Sequence, residues 1–139
     1  MKCIINDFRF LTTTKVAWGD MDAFQHVNNS IFFKYFENVR IAYLEKAKIL
    51  VPRANVLPIL ADISCKFISP LYYPDVIILA AKVTEFSEDR FVMNYGIFNE
   101  QSKKCSAFGS SSIVSFDYQK KKKVLLPDTW ISGIKDIET

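Results

Sequence analysis

Between Trp18 and Asn29 the chain reads Trp-Gly-Asp-Met-Asp-Ala-Phe-Gln-His-Val-Asn-Asn. This stretch holds two carboxylates (Asp20 and Asp22), the sequence's single histidine (His26) and two asparagines (Asn28 and Asn29). A carboxylate can attack a carbonyl carbon, or take a proton from the water that does. A helix start beside it offers unpaired backbone N–H groups and about half a positive charge. Such an end polarises a carbonyl or steadies an oxyanion.

Each of these residues also has a plainer use. Asp22 can close or cap the turn, and Asp20 can do the same, since one carboxylate is enough for chemistry. A lone histidine is commonly a packed or surface residue. With no second histidine, a multi-histidine metal site is excluded, and no metal or cofactor is expected. Asn28, Asn29 or Ser30 can cap a helix by accepting from its first free N–H groups. Glu37 and Arg40, three apart, read as a pair on a helix surface.

The elements that must hold this segment follow from hydrophobic spacing. Phe8 to Trp18 is rich in β-branched and aromatic residues and reads as a strand. Residues 30–50 read as a helix, with Phe32, Phe36, Val39, Tyr43 and Ala47 on one stripe. Ile31, Phe33, Tyr35, Ile41, Ala42 and Leu44 widen that stripe, so the helix is expected to be wrapped on more than one side. Pro52 is expected to stop it. Four strands follow: Ile59 to Phe67, Val76 to Phe86, Phe91 to Ile97, and Cys105 to Tyr118. Short turns between them favour antiparallel neighbours. The expected class is α+β, with an antiparallel sheet of about five strands curled around one long central helix.

Composition bounds the function. The 139 residues are 50% hydrophobic and 14% aromatic, which excludes a disordered chain. One domain over 1–139 is expected from the length. Net charge is +3, and the only dense basic run is Lys120 to Lys123. That is too little for a nucleic-acid binder. No apolar run nears the roughly 18 residues of a membrane span, and Met1 to Asp7 lacks a leader's apolar core. Three widely separated cysteines, Cys3, Cys65 and Cys105, argue against a disulfide framework and for a reduced, cytoplasmic chain.

The string Gly19-Asp20-Met21-Asp22-Ala23-Phe24-Gln25-His26-Val27-Asn28-Asn29, followed by Tyr35-Phe36-Glu37 and Arg40, resembles the acyl-CoA thioesterases of the 4-hydroxybenzoyl-CoA thioesterase type. That family has the hot-dog fold. Ser69-Pro70-Leu71 with Pro74-Asp75 resembles the turn between its second and third strands. Lys122 to Pro127 resembles its closing segment. The resemblance spans about residues 10 to 130.

It implies that Asp22 is the catalytic carboxylate, acting as nucleophile or general base on an acyl-CoA or acyl-carrier-protein thioester. Backbone N–H groups from about Val27, Asn28, Asn29, Ser30 and Ile31 would polarise the thioester carbonyl. Some branches carry a helper histidine at the position of Asn29; His26 either takes that part or shapes the loop. Asn28, Asn29 or Ser64 would hold the water or the carboxylate. The resemblance further implies a homodimer with sites between subunits, assembling to a homotetramer. Phe67, Tyr72, Tyr73, Phe91, Tyr95, Phe108 and Phe116 would line an acyl tunnel or an interface, or simply fill the core. The lysine run, with Arg53 and Lys66, would meet CoA phosphates or stay in solvent.

Two rivals remain. One is a hot-dog module that binds acyl-CoA or a partner without turnover. The other is a hydratase or dehydratase of that fold, which needs an aspartate and a histidine five apart around a proline. Here Asp22 and His26 are four apart with no proline between them.

Overall fold

The computed structural model describes residues 3–139. Met1 and Lys2, part of the segment read for a leader, lie outside the described residues. The chain forms β1 (Phe10–Lys15), α1 (Asn29–Lys46), β2 (Val56–Phe67), β3 (Val76–Phe86), β4 (Arg90–Asn99), β5 (Cys105–Asp117), a two-residue β6 (Lys122–Lys123) and α2 (Asp128–Glu138). All strand pairs are antiparallel, and the sheet runs β1-β3-β4-β5-β2, with β6 on β5. The expected curled sheet around a central helix is what the chain builds.

Helix α1 buries the stripe that its spacing announced. Phe32, Phe36, Val39, Tyr43 and Ala47 are all at most 2% exposed. Tyr35 and Leu44, on the widened face, are buried too. They pack on the inward face of the sheet, where Ile77, Leu79, Ala81, Phe91, Met93, Tyr95 and Ile97 belong to the same core. Alternate residues of β3, Ile78 and Ala80, form a smaller cluster with Phe98 on the opposite face. The segment before β1 covers that face, with Ile5 and Phe8 against the cluster and Phe8 edge-on to Phe98 at 5.9 Å. Phe8 therefore precedes β1 rather than belonging to it.

The helix ends before Pro52. Lys48 adopts φ 62°, the Lys48 N–H donates to Glu45 O, and the Ile49 N–H donates to Leu44 O. That is a Schellman ending, with lysine where glycine is usual. Helix α2 was not anticipated. Its buried Trp130 and Ile134 join the main core, and it crosses so near the end of α1 that Gly133 touches the Ala47 carbonyl group.

Two further expectations change, and the strand aromatics divide between core and surface. Arg40 is not a surface residue: it is 8% exposed, donates to the Tyr95 hydroxyl at 3.3 Å, and stands 3.9 Å from Glu37. The Tyr95 hydroxyl also pairs with Ser111 Oγ at 2.6 Å. Cys3 and Cys105, expected to be unpaired, form a disulfide with Cα atoms 6.0 Å apart, which suits such a bond. Of the strand aromatics, Phe91 and Tyr95 are core, whereas Phe67, Tyr72 and Tyr73 are 41 to 48% exposed. No described helix is long and apolar enough to cross a membrane.

Candidate active site

The segment 18–29 folds as a braced loop leading into α1. A 3-10 turn at Trp18–Asp20 opens it. Met21 and Val27 form an isolated antiparallel bridge, and the five residues between them make a tight reversal. Within it the Asp22 N–H donates to His26 O and the Gln25 N–H to Asp22 O, each at 3.0 Å. Gln25 takes φ 67°, and the Phe24 N–H donates to Asp22 Oδ1 at 2.8 Å. The last bond is the short side-chain turn that aspartate is suited to make.

Asp20 ties this loop to the helix. Its Oδ2 accepts from the Ala17 N–H at 2.9 Å and from the Tyr35 hydroxyl at 2.7 Å. Its main-chain carbonyl accepts from the Asn28 N–H at 3.0 Å. Burial, and then the bond to the Asp20 carboxylate, push the Tyr35 hydroxyl well above the ordinary tyrosine range. The β2–β3 connection supplies the other brace. Leu71 O accepts from the Val27 N–H at 2.8 Å, and Asp75 O accepts from the Val16 N–H at 2.9 Å.

Beside this loop lies a cleft of about 180 Å³, lined by His26, Val27, Asn29, Phe32, Phe67, Ile68, Ser69 and Pro70. Its polar groups stand at the start of α1 and its apolar surface comes from α1 and the end of β2. The His26 Nδ1 lies 3.2 Å from Val27 O. A carbonyl only accepts, so Nδ1 is the donor of that contact and Nε2 is the ring nitrogen left for another partner.

Most N–H groups expected to polarise a substrate are already engaged. The Val27 N–H goes to Leu71 O, Asn28 to Asp20 O and Ile31 to Asn28 O. Ser30 goes to Asn28 Oδ1 at 2.9 Å, which makes Asn28 the helix cap. The Asn29 N–H has no acceptor among the described residues. Four of the five expected N–H groups are thus engaged by the loop's own closure.

The structure brings His26, Val27 and Asn29 together in the cleft lining. Asn28 and Ser30 are exposed neighbours that close the cap, and Ile31 is half-buried against the core. Asp22 is half-buried in the adjoining turn and is not part of the lining. Ser64 does not join the site: it pairs with Ser110 in the ladder, three residues back from Phe67, about 10 Å along β2. The lysine run is at the opposite end of the sheet. Lys122 and Lys123 pair with Asp117 and Phe116, which face Val56 and Leu57 at the start of β2.

Spacing gave no sign of the two braces, Asp20 on Tyr35 and the β2–β3 connection on Val16 and Val27. Nor did it mark Phe32 as cleft floor rather than core alone.

The family model that matches this chain is described as the thioesterase-like superfamily, and it matches residues 16–133. The chain belongs to the thioesterase-like superfamily. A sequence relative, the uncharacterised protein YsmA of Bacillus subtilis (strain 168), is 24% identical over 98 residues, 70% of this chain and 67% of that one. Among solved structures, the chain is similar to Slr0204, a 1,4-dihydroxy-2-naphthoyl-CoA thioesterase from Synechocystis. The TM-score is 0.84 at 21% identity, covering 94% of this chain and 98% of that one. It is also similar to a thioesterase from Thermus thermophilus complexed with coenzyme A and zinc. There the TM-score is 0.83 at 19% identity, covering 96% and 97%. Like other members of the thioesterase-like superfamily, the chain has the hot-dog fold: its central helix is the filling and the curled antiparallel sheet the wrap.

Proposed function

We propose that this protein hydrolyses acyl thioesters, of coenzyme A or of acyl carrier protein, to a free acid and a thiol. The observation that carries the reading is the cleft at the start of α1, where a free Asn29 N–H and the His26 ring face an apolar floor beside the Asp22 turn. Family membership supports it, as do similar structures described as thioesterases.

In this reading the thioester carbonyl oxygen accepts from the Asn29 N–H, with the helix end adding its partial positive charge. Asp22 then acts by one of two routes. As a base it takes a proton from water while the water oxygen bonds to the carbonyl carbon. The carbon–sulfur bond breaks, and the proton passes to the departing sulfur. As a nucleophile it bonds to that carbon itself, expels the thiolate, and forms an anhydride that water opens. Transfer of labelled solvent oxygen into the Asp22 side chain would mark the second route. His26 Nε2 accepts from the water and orients it. Asn28 and Ser30 hold the helix start that presents Asn29, while Val27 and Ile31 support it from the core.

The protein works as a homodimer that pairs into a tetramer in this reading. Strand β2 is a twelve-residue edge strand that carries exposed Leu60 and Phe67, with exposed Ile68 just beyond its end. A long apolar edge invites a second strand, and light scattering on the purified protein measures the outcome.

The test of function is thiol release from a panel of acyl-CoA and acyl-carrier-protein esters, for wild type beside Asp22→Asn and His26→Ala. Asp22→Asn should lose about a hundredfold or more in kcat, the scale of a lost acid–base group. His26→Ala should lose less. Equal activity in Asp22→Asn and wild type would overturn the assignment of Asp22. No turnover on any ester, with acyl-CoA still bound, would turn the reading into a binding module.

A further inference from the structure

The cleft ends against a run of aromatic rings. Phe32, 2% exposed, forms its floor. Phe67, the last residue of β2, stands edge-on to Phe32 with ring centres 5.1 Å apart, and edge-on to Phe33 at 6.4 Å. Phe33 in turn meets Phe36 edge-on at 6.3 Å. Phe36 is stacked on Tyr95 at 4.8 Å. The rings are therefore continuous from the cleft into the core between α1 and the sheet, and no acyl chain can extend through them. Phe67 differs from the others in being 41% exposed, whereas Phe32, Phe36 and Tyr95 are buried. Phe33 is half-buried and does not line the cleft; of the two rings that do, Phe67 is the one whose removal lengthens the cleft without emptying the core. Cys65 and Ile63, two and four residues before it on the same side of β2, are half-buried against the core and would border the added space.

The volume gives the scale. An apolar cavity of about 150 Å³ holds a benzene molecule, and this cleft measures about 180 Å³. One aromatic ring or a short chain fills a space of that size.

We infer that Phe67 is a specificity-determining residue, which closes the acyl end of the cleft and restricts the substrate to single-ring or short-chain acyl groups. The inference rests on the thioesterase reading above.

The experiment is kcat/KM for butanoyl-, hexanoyl-, octanoyl-, dodecanoyl- and benzoyl-CoA, in wild type, Phe67→Ala and Tyr72→Ala. Tyr72 is an exposed aromatic outside the cleft lining and serves as the control. Wild type should favour butanoyl, hexanoyl and benzoyl esters. In Phe67→Ala the octanoyl-to-butanoyl ratio should rise by about tenfold or more, the scale on which a pocket discriminates a methylene. Tyr72→Ala should keep the wild-type ratios. These are ratios within one protein, so a smaller folded fraction leaves them unchanged. Turnover with an unshifted ratio in Phe67→Ala, or a wild type that favours dodecanoyl-CoA, would overturn the inference alone. Absence of turnover on every ester would overturn the thioesterase reading and the inference with it.

Discussion

At Gly109 the sheet leaves no room for a side chain against α1, and Gly109→Ala tests how firmly α1 is seated. A Cβ built there would lie 2.5 Å from Phe36 Cε2, 3.0 Å from Phe36 Cζ, and in collision with the Ser64 carbonyl oxygen. Neither obstacle can retreat cheaply. Ser64 is main chain, held in the β2–β5 ladder opposite Ser110. Phe36 is 0% exposed and stacked on Tyr95. Overfilling a packed core usually costs about 1–3 kcal/mol, and two fixed obstacles put this case at the upper end, about 3 kcal/mol. For a chain of this length that lowers Tm by about 10 °C. Thermal unfolding followed by circular dichroism measures it. Phe36→Leu removes the ring atoms that collide, so the double variant should lose less than the sum of the two single losses, a coupling expected of touching residues. A Tm within about 2 °C of wild type for Gly109→Ala would refute the reasoning, because α1 would then have slack that the packing denies.

Alkaline pH should unfold the protein. Tyr35, Tyr43 and Tyr95 are all raised above the ordinary tyrosine value, burial being the first cause in each. Their stabilising effect is complete below about pH 10 and is lost as pH rises beyond it, because the unfolded chain gives up those protons first. Three such groups give a slope of up to about 4 kcal/mol per pH unit, seen as a falling urea midpoint; a midpoint that stays flat above pH 10 would refute it. Tyr43→Phe should flatten that slope by about a third, since its hydroxyl donates to Glu138 Oε2 at 2.6 Å and loses that bond with the proton. Asn28→Ala removes the cap of α1 and should cost about 1 kcal/mol, measured by urea unfolding, with a fall in turnover because Asn29 is presented by that same turn.

The parts of the fold legible in the sequence were those set by a period. The stripe from Phe32 to Ala47 repeats at helical spacing, and β3 alternates between two buried faces, so both elements stood out. The end of α1 did not, because Lys48 occupies a left-handed position that glycine usually marks, and residue type carries no trace of it. Helix α2 did leave a signal: Trp130, Ile131, Ile134 and Ile137 lie at helical spacing after Pro127. Its shortness and position after a closing strand hid it. Arg40 shows the deeper limit. Its spacing to Glu37 describes a surface pair, and only the approach of Tyr95, 55 residues away, makes it a buried group. The same holds for the cleft: the motif located its polar rim, while Phe67 and Pro70 arrive from a strand end that no local pattern ties to His26.

The two aspartates show how a motif divides its labour. Asp20 spends one oxygen on two donors, Ala17 and Tyr35, and its carbonyl on Asn28. Substituting it would release the loop from the helix at three points. Asp22 spends one oxygen on the Phe24 N–H, and its Oδ2 has no partner among the described residues. A carboxylate held through one oxygen and open at the other is oriented without being satisfied, which is the condition for meeting water or a carbonyl carbon. Loop closure treats the backbone in the same way. It uses the N–H groups of Val27, Asn28, Ser30 and Ile31, and leaves Asn29 facing the cleft. One carboxylate oxygen, Asp22 Oδ2, and the Asn29 N–H thus both stay without a partner among the described residues, seven residues apart in sequence at the turn into α1.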